Sequence, residues 1–305
     1  MSVVAVVPTL GRSPYLERCL QALGGPRAGV VRVVVAQRVA NDLVRRGLAE
    51  HELHTEDRLG FSAATNLGID AAESEYVATV NDDAIVDPRW LAILRAALER
   101  KPRAAGAQGV NLQMTAPLLV DGCGLAWNYR WEAVQIGHGE AAPPESAPER
   151  EIYGVSATAA LYRRSALDAV RGAHGIFDER LDSFYEDVDL AGRLRAAGFT
   201  ALLAPGARAA HAGSTTASRT AARHVAWIYG NRHLVLAALL GAESSPARSL
   251  AWRTDLRDAI KSWRSPRRLA GILGGAQRAW RYLPEWRRDG PPLVTLAELE
   301  RLRDG

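Results

Sequence analysis

The sequence predicts an α/β fold: a mainly parallel sheet flanked by helices, followed by a helical C-terminal extension. Three observations predict it. β-branched runs alternate with amphipathic helical patterns through the N-terminal third, and a strand followed by a helix must cross over to pair in parallel. The runs are continuous, as in strands buried on both faces. Beyond Gly241 the pattern becomes purely helical and rich in arginine and tryptophan.

Val3 to Val7 is the first buried strand. It starts directly after Met1-Ser2, with no basic segment before it, and so reads as core and not as a signal peptide. Tyr15 to Leu23 places Leu16, Leu20 and Leu23 on one helical face. Val30 to Val35 and Tyr76 to Val80 are further strands, and Pro88 starts a helix carrying Leu91, Leu94 and Leu98. From Gln113 to Pro148 the chain breaks into short pieces, with Ala141 to Pro148 as a flexible loop. Order returns at Val155 to Tyr162, then a helix from Ser165, a helix from Glu186 to Ala197 ended by Gly198, and a short strand from Thr200 to Ala204. The expected division is a catalytic domain over 1–241, with halves meeting near 112/113, and an extension over 242–305.

The chain has 305 residues, 48% apolar and 24% charged, a balance that folds around a core and excludes general disorder. No apolar run approaches the ~18 residues of a membrane span, the richest being Leu234 to Leu240. Cys19 and Cys123 give neither a disulfide framework nor a metal-ligand spacing, so a reducing cytoplasm is the expected compartment. The net charge of +4 is unevenly distributed. Pro246 to Arg288 holds eleven Lys/Arg against three acids, a net of +8, with Trp252, Trp263, Trp280 and Trp286 in the same stretch. No nucleic-acid-binding fold accompanies that charge, which excludes nucleic acid as the expected partner. Dinucleotide motifs are absent, so no redox cofactor is expected.

In such sheets ligands bind beyond the C-terminal strand ends. That rule selects Pro8 to Arg12, Ala36-Gln37 and Asn81 to Ala84. Carboxylates at a buried strand end are costly without a counter-charge. Asp82 and Asp83 are adjacent and diverge, so one suits a metal and the other a ligand hydroxyl. Helix capping, their alternative role, falls to Asp87 before Pro88.

Four segments taken in order carry a resemblance: P-T-L-G-R from Pro8, R-L-G-F-S-A-A-T-N-L-G-I from Arg58, V-N-D-D-A from Val80, and F-D-E-R-L-D-S-F-Y-E-D-V-D-L-A-G-R-L-R-A-A-G from Phe177. With Tyr162-Arg163-Arg164, His211-Ala212-Gly213-Ser214 and Gly230-Asn231-Arg232, the chain from Val3 to Leu240 resembles the inverting family-2 glycosyltransferases. It looks closest to their actinobacterial rhamnosyltransferase-like branch. The resemblance implies a GT-A fold and a nucleoside-diphosphate sugar donor. It implies Mg2+ or Mn2+ held by Asp83 and His211, and an oxygen-preferring ion suits a carboxylate. Pro8, Thr9, Arg12, Gln37, Gly60, Asn66, Asn81 and Asp82 become donor-binding candidates. Ser214 and Thr215 join them, in a loop whose N–H groups meet the diphosphate. Asn81 stands where an aspartate is frequent, and Gln37 where many relatives carry a base-reading Asp, which leaves the nucleobase open. Asp189 is expected to hold its helix in place and not to touch substrate.

Inversion is an in-line displacement at the anomeric carbon, needing a general base for the acceptor hydroxyl and positive charge for the leaving diphosphate. The E-D-V-D-L helix supplies the base, expected to be Asp187 with Glu186 as its neighbour. Trp127, Tyr129 and Trp131 are expected either to stack acceptor sugars or to pack in the core. In the tail, Trp252, Leu256, Ile260 and Trp263, then Leu269, Ile272, Leu273, Trp280 and Leu283, recur at helical spacing between arginines. Such faces suit an anionic membrane surface, the catalytic domain or a second subunit in a homodimer. The expected function is transfer of rhamnose or another hexose to a glycan, lipid-linked or small-molecule acceptor in cell-wall or polysaccharide biosynthesis. The expected location is the cytoplasm, peripheral on the inner face of the plasma membrane. A sugar-nucleotidyltransferase would open with a Gly-rich phosphate loop, which P-T-L-G-R-S-P is not. A degenerate sugar-binding subunit is opposed by intact Asp83, Asp187 and His211.

Overall fold

The computed structural model describes residues 2–37, 42–213, 221–287 and 292–302. Val3–Thr9 (β1), Val30–Gln37 (β2), His51–Thr55 (β3) and Tyr76–Val80 (β4) are parallel, with β1 paired to β2 from Val3↔Val30 and to β4 from Val3↔Tyr76. Leu16–Ala22 (α1) and Phe61–Asp70 (α2) make crossovers, and the short strand Ala84–Val86 (β5) precedes Trp90–Arg100 (α3). The Asp87 carboxylate accepts the Arg89 N–H in the turn that leads into α3.

The second half adds Ala104–Gln113 (β6), Ala116–Gly122 (β7), Leu125–Trp127 (β8), Ala133–Gln135 (β9), Arg150–Ile152 (β10) and Ala159–Arg163 (β11). Arg164–Ala169 (α4), Glu186–Ala196 (α5) and Thr200–His211 (β12) follow, then Ala222–Leu240 (α6), Ser244–Lys261 (α7), Pro266–Trp286 (α8) and Leu296–Arg301 (α9). One ten-stranded sheet runs β10-β12-β6-β11-β4-β1-β2-β3, with β5 on β12 and β7 on β6, while β8 and β9 form a separate pair. β11 lies antiparallel between β4 and β6, so the sheet is mixed but mainly parallel.

Three elements depart from the expectation, each for a physical reason. β3 is a half-exposed edge strand of sequence H-E-L-H-T and carries no apolar run. β6, A-A-G-A-Q-G-V-N-L-Q, is buried but built from small residues, because Tyr162 and the Ala207 backbone press on Gly106 and Gly109. β12 does not stop at Ala204. It passes through Pro205-Gly206 by a register shift against β6 and continues to His211. Ala141 to Pro148 is irregular but fastened, with Arg89 paired to Glu145 at 2.8 Å and Arg208 donating to the Pro143 carbonyl.

Two apolar layers cover the faces of the sheet. A third joins Trp127, Tyr153 and Val188 to Leu236 of α6, Ala251 of α7, Trp286 of α8 and Leu299 of α9, so the extension shares a core with the preceding chain. α6 and α8 meet closely because Gly230 faces Gly275: a Cβ on Gly275 would stand 2.7 Å from that of Tyr229. The expected apolar stripes of the tail are thus divided. Ile272 and Trp286 are buried and Trp252 stacks on His233, whereas Leu256, Ile260, Trp263, Leu273 and Trp280 face outward. No helix among the described residues is long and apolar enough to cross a membrane.

Candidate active site

A cleft of about 900 Å³ opens over the C-terminal ends of β1, β2 and β4. It is lined by Pro8, Thr9, Gln37, Gly60 and Asn81 to Asp83 on one side. Ser156, Phe184 to Asp187 and His224 line the other side, with Asp121 and His211 between.

The register of β12 against β5 sets His211 beside Ala84, which brings its ring to the end of β4. The Nε2 atom lies 3.1 Å from an oxygen of Asp83, and Nδ1 lies 2.8 Å from an oxygen of Asp121 on β7. Asp82 turns the other way and accepts the Thr9 hydroxyl at 2.5 Å. Burial pushes Asp82 up, against the pull of the Thr9 hydrogen bond, and nearby Asp83 adds to the rise, to about 6. Burial alone would lower His211, but its hydrogen bonds to Asp121 and Asp83 hold it at about 9. Both ring nitrogens of His211 thus face carboxylates.

A divalent cation fits the same place. Two adjacent ligands of an octahedral ion with bonds of ~2.1 Å stand about 3 Å apart, which is the separation of Asp83 and His211. Asp121 on Nδ1 presents Nε2 to the ion, the usual support for a metal-binding histidine. Among the described residues no group of three or more His, Cys, Asp or Glu could cage a metal alone. Such a pair suits an ion that also binds substrate phosphates.

Opposite this cluster, α5 begins with Glu186 and Asp187. The Asp187 oxygens accept the Val188 N–H at 2.9 Å and the Ala157 N–H at 3.3 Å. Burial raises both carboxyls, with backbone hydrogen bonds tempering Asp187 and the Asp187 charge raising Glu186 further. Among the described residues the Glu186 Oε2 atom is buried without a hydrogen-bond partner. The segment leading into them is strained: Asp182, Phe184 and Tyr185 have φ of 62°, 67° and 72°, a left-handed region unfavourable for bulky residues. Asn231 holds it there, its amide donating to the carbonyls of Leu181, Ser183 and Phe184 at 2.8–3.1 Å. Arg278 of α8 in turn donates to the Asn231 side chain at 2.8 Å and to the Arg180 carbonyl at 2.6 Å. Gly60, with φ of 84°, admits this loop, since a Cβ there would stand 1.9 Å from an Asp182 oxygen.

The cleft brings together Pro8, Thr9, Gln37, Gly60, Asn81, Asp82, Asp83, Glu186, Asp187 and His211 of the expected residues. Gln37 also accepts the Leu59 N–H through its side chain. Two expected residues lie outside the cleft. Arg12 is exposed and does not line the cleft. Asn66 is also outside it, with its amide used internally on Phe177 and Glu179. Ser214 and Thr215 lie outside the described residues. Trp127 and Trp131 pack in the core and Tyr129 is exposed, so none of the three lines the cleft. Asp189 pairs with Arg193 at 2.7 Å and braces α5, as its sequence position suggests. Asp121, Arg58 and Asn231 were not singled out by their sequence. Arg58 lines the cleft, binds Asp182 at 3.3 Å and lies over the Trp227 ring. For Asn231 the G-N-R segment was the available signal.

Comparisons with known proteins bear on the family and the fold. The chain is 30% identical to the N-acetylglucosaminyl-diphospho-decaprenol L-rhamnosyltransferase of two Mycobacterium tuberculosis strains, CDC 1551 and H37Rv. Those alignments cover 90% of this chain and 98% of the relative. Among solved structures, GalNAc-T7 with UDP, GalNAc and Mn2+ superposes at a TM-score of 0.61 and 14% identity over 80% of this chain. The match takes in 49% of GalNAc-T7, so the chain spans about half that protein's length. The mannosyltransferase PcManGT of Pyrobaculum calidifontis, in complex with GDP-Man and Mn2+, superposes at 0.51 and 18% identity, covering 91% of this chain and 86% of that one. The family model for glycosyltransferase like family 2 matches residues 2–230, and the chain belongs to that family, as a glycosyltransferase with the GT-A type of fold.

Proposed function

We propose that the chain is an inverting, metal-dependent glycosyltransferase. In this reading it moves a deoxyhexose or hexose, rhamnose first, from a nucleoside diphosphate to a lipid-linked glycan acceptor in cell-wall or polysaccharide synthesis. The observation that carries the proposal is the pairing, across one cleft, of Asp83 and His211 with the helix-start carboxylates Glu186 and Asp187. The sugar and acceptor are suggested by the names of the mycobacterial relatives. The Mn2+ in the two solved neighbours supports the choice of Mg2+ or Mn2+.

Asp83 and His211 would hold the ion. When bound, it would neutralise charge developing on the departing diphosphate as a Lewis acid. Thr9, Gln37, Asn81 and Asp82 line the end of the cleft beyond β1, β2 and β4 and would bind the nucleotide there. Asp187 takes the proton of the acceptor hydroxyl while that oxygen bonds to the anomeric carbon and the carbon–diphosphate bond breaks. Its backbone hydrogen bonds orient the carboxylate, and its raised affinity for a proton makes it a stronger base. Burial and the neighbouring Asp187 charge raise Glu186, which favours its protonated form beside the base.

The test is transfer from a panel of nucleoside-diphosphate sugars, with rhamnose, glucose, galactose and mannose donors, onto GlcNAc-diphospho-polyprenol. Rhamnosyl transfer that EDTA abolishes and Mn2+ or Mg2+ restores, giving a product of inverted anomeric configuration, is expected. Retained configuration, or undiminished turnover in EDTA, would overturn the reading.

A further inference from the structure

The helical extension has two faces, and only one is used inside the molecule. α7 turns Ala247 and Ala251 inward, and α8 turns Gly271, Gly275 and Ala279 inward. At 100° per residue, Leu256 lies about 180° from Ala247, and Trp280 about 180° from Gly271. Leu256, Ile260, Trp263, Leu273 and Trp280 are all between 58% and 81% exposed. Scattered exposed apolar side chains are ordinary, but five on the outer sides of two consecutive helices and the turn that joins them form a pattern that marks an interaction site. Arg253, Arg257, Arg264 and Arg267, all exposed, are interspersed among them.

We propose that the outward face of α7 and α8 is a docking surface for an anionic phospholipid membrane. Apolar and tryptophan side chains would enter the acyl boundary while the arginines meet lipid phosphates. From Arg253 to Arg267 the exposed basic residues alternate with Leu256, Ile260 and Trp263, and do not ring an apolar centre as in a protein interface. A second copy is disfavoured by charge, since it would set one +8 segment against another. α8 packs along α6, whose His224 and Ile228 line the cleft, so docking would place the cleft close to a lipid-borne acceptor. That benefit rests on the lipid-linked acceptor proposed above, whereas the binding itself does not.

The test is co-sedimentation of the full chain, without donor or acceptor, with phosphatidylcholine vesicles containing or lacking phosphatidylglycerol. Three variant pairs are compared: Trp263→Ser with Trp280→Ser, Leu256→Ser with Ile260→Ser, and Arg253→Gln with Arg257→Gln. All six side chains point outward, and melting curves check that the variants fold as the parent does. Binding is expected only with the anionic lipid and should weaken with added salt. It should fall about fivefold for each arginine removed and be lost in the tryptophan pair. A parent chain that ignores anionic vesicles at low salt overturns the proposal, as do folded variants that bind like the parent. Self-association lost in the tryptophan pair, without vesicle binding, would give the face to a second copy. Donor binding measured in the same variants keeps the two readings separate: vesicle binding can fail while sugar transfer stands, and the reverse.

Discussion

Asp121 lines the cleft and meets His211 at 2.8 Å, and nothing in its sequence marks it. V-D-G within β7 has no motif character, and its value comes from the β7–β6–β12 pairing that sets Asp121 behind His211. Asp83 and His211 were legible because strand-end and ordered-motif reasoning both pointed to them. Their mutual distance was not, because it depends on β12 continuing through Pro205 and Gly206. Asn66 and Arg12 lie inside or beside recognisable segments, but one is turned into the interior and the other to solvent. Loss of an outer partner of a metal ligand costs roughly 10–100-fold in metal affinity. Asp121→Ala should weaken Mn2+ binding in the presence of a nucleoside diphosphate by that order in calorimetric titration. Asp121→Asn, which still accepts the Nδ1 hydrogen, should recover most of it. If the two variants bind Mn2+ alike, Asp121 does not orient His211.

At the scale of elements, the loop Asp182–Tyr185 and helix α6 form one device. Three left-handed residues immediately before α5 are costly, and the Asn231 amide offsets part of that cost by binding the loop carbonyls. G-N-R had been only a recognition signal, and the structure gives each residue a task. Gly230 admits α8, Asn231 holds the loop, and Arg232 binds Asp255 in the α6–α7 contact. Leaving buried carbonyls unpaired costs about 1–3 kcal/mol, so Asn231→Ala should lower the unfolding free energy by that order. Because the loop aims Glu186 and Asp187, kcat should also fall while donor and Mn2+ affinities stay close to the parent. A variant that loses stability but keeps kcat would make Asn231 a packing residue only. Parallel strands with continuous β-branched runs were readable element by element. β3 and β6 were not, one lacking apolar character and the other lacking side chains large enough to signal burial.

For the whole molecule, the sheet order is what makes a site of scattered segments. β11 inserted between β4 and β6, and β12 beyond β6, fold the second half back onto the strand ends of the first. The alternation of strands and helices foretold a mainly parallel sheet, but not this insertion, since antiparallel β11 follows a long irregular stretch. The extension shares the third apolar layer with α5 and α6, and Arg278 reaches the loop ahead of α5, so deleting it would unmake the core and the site together. Outward point variants are therefore the proper probe of its surface. The role proposed for Asp187 is removal of the acceptor proton, in a cleft whose donor and metal sites are built elsewhere. It is tested most directly by measuring, in one preparation of Asp187→Asn, both sugar transfer and Mn2+-dependent nucleoside-diphosphate binding, with Glu186→Gln alongside. Loss of a general base typically costs ~10²–10⁴-fold, so transfer should fall by that order in Asp187→Asn with binding unchanged, and less in Glu186→Gln. An active Asp187→Asn beside an inactive Glu186→Gln would contradict the assignment.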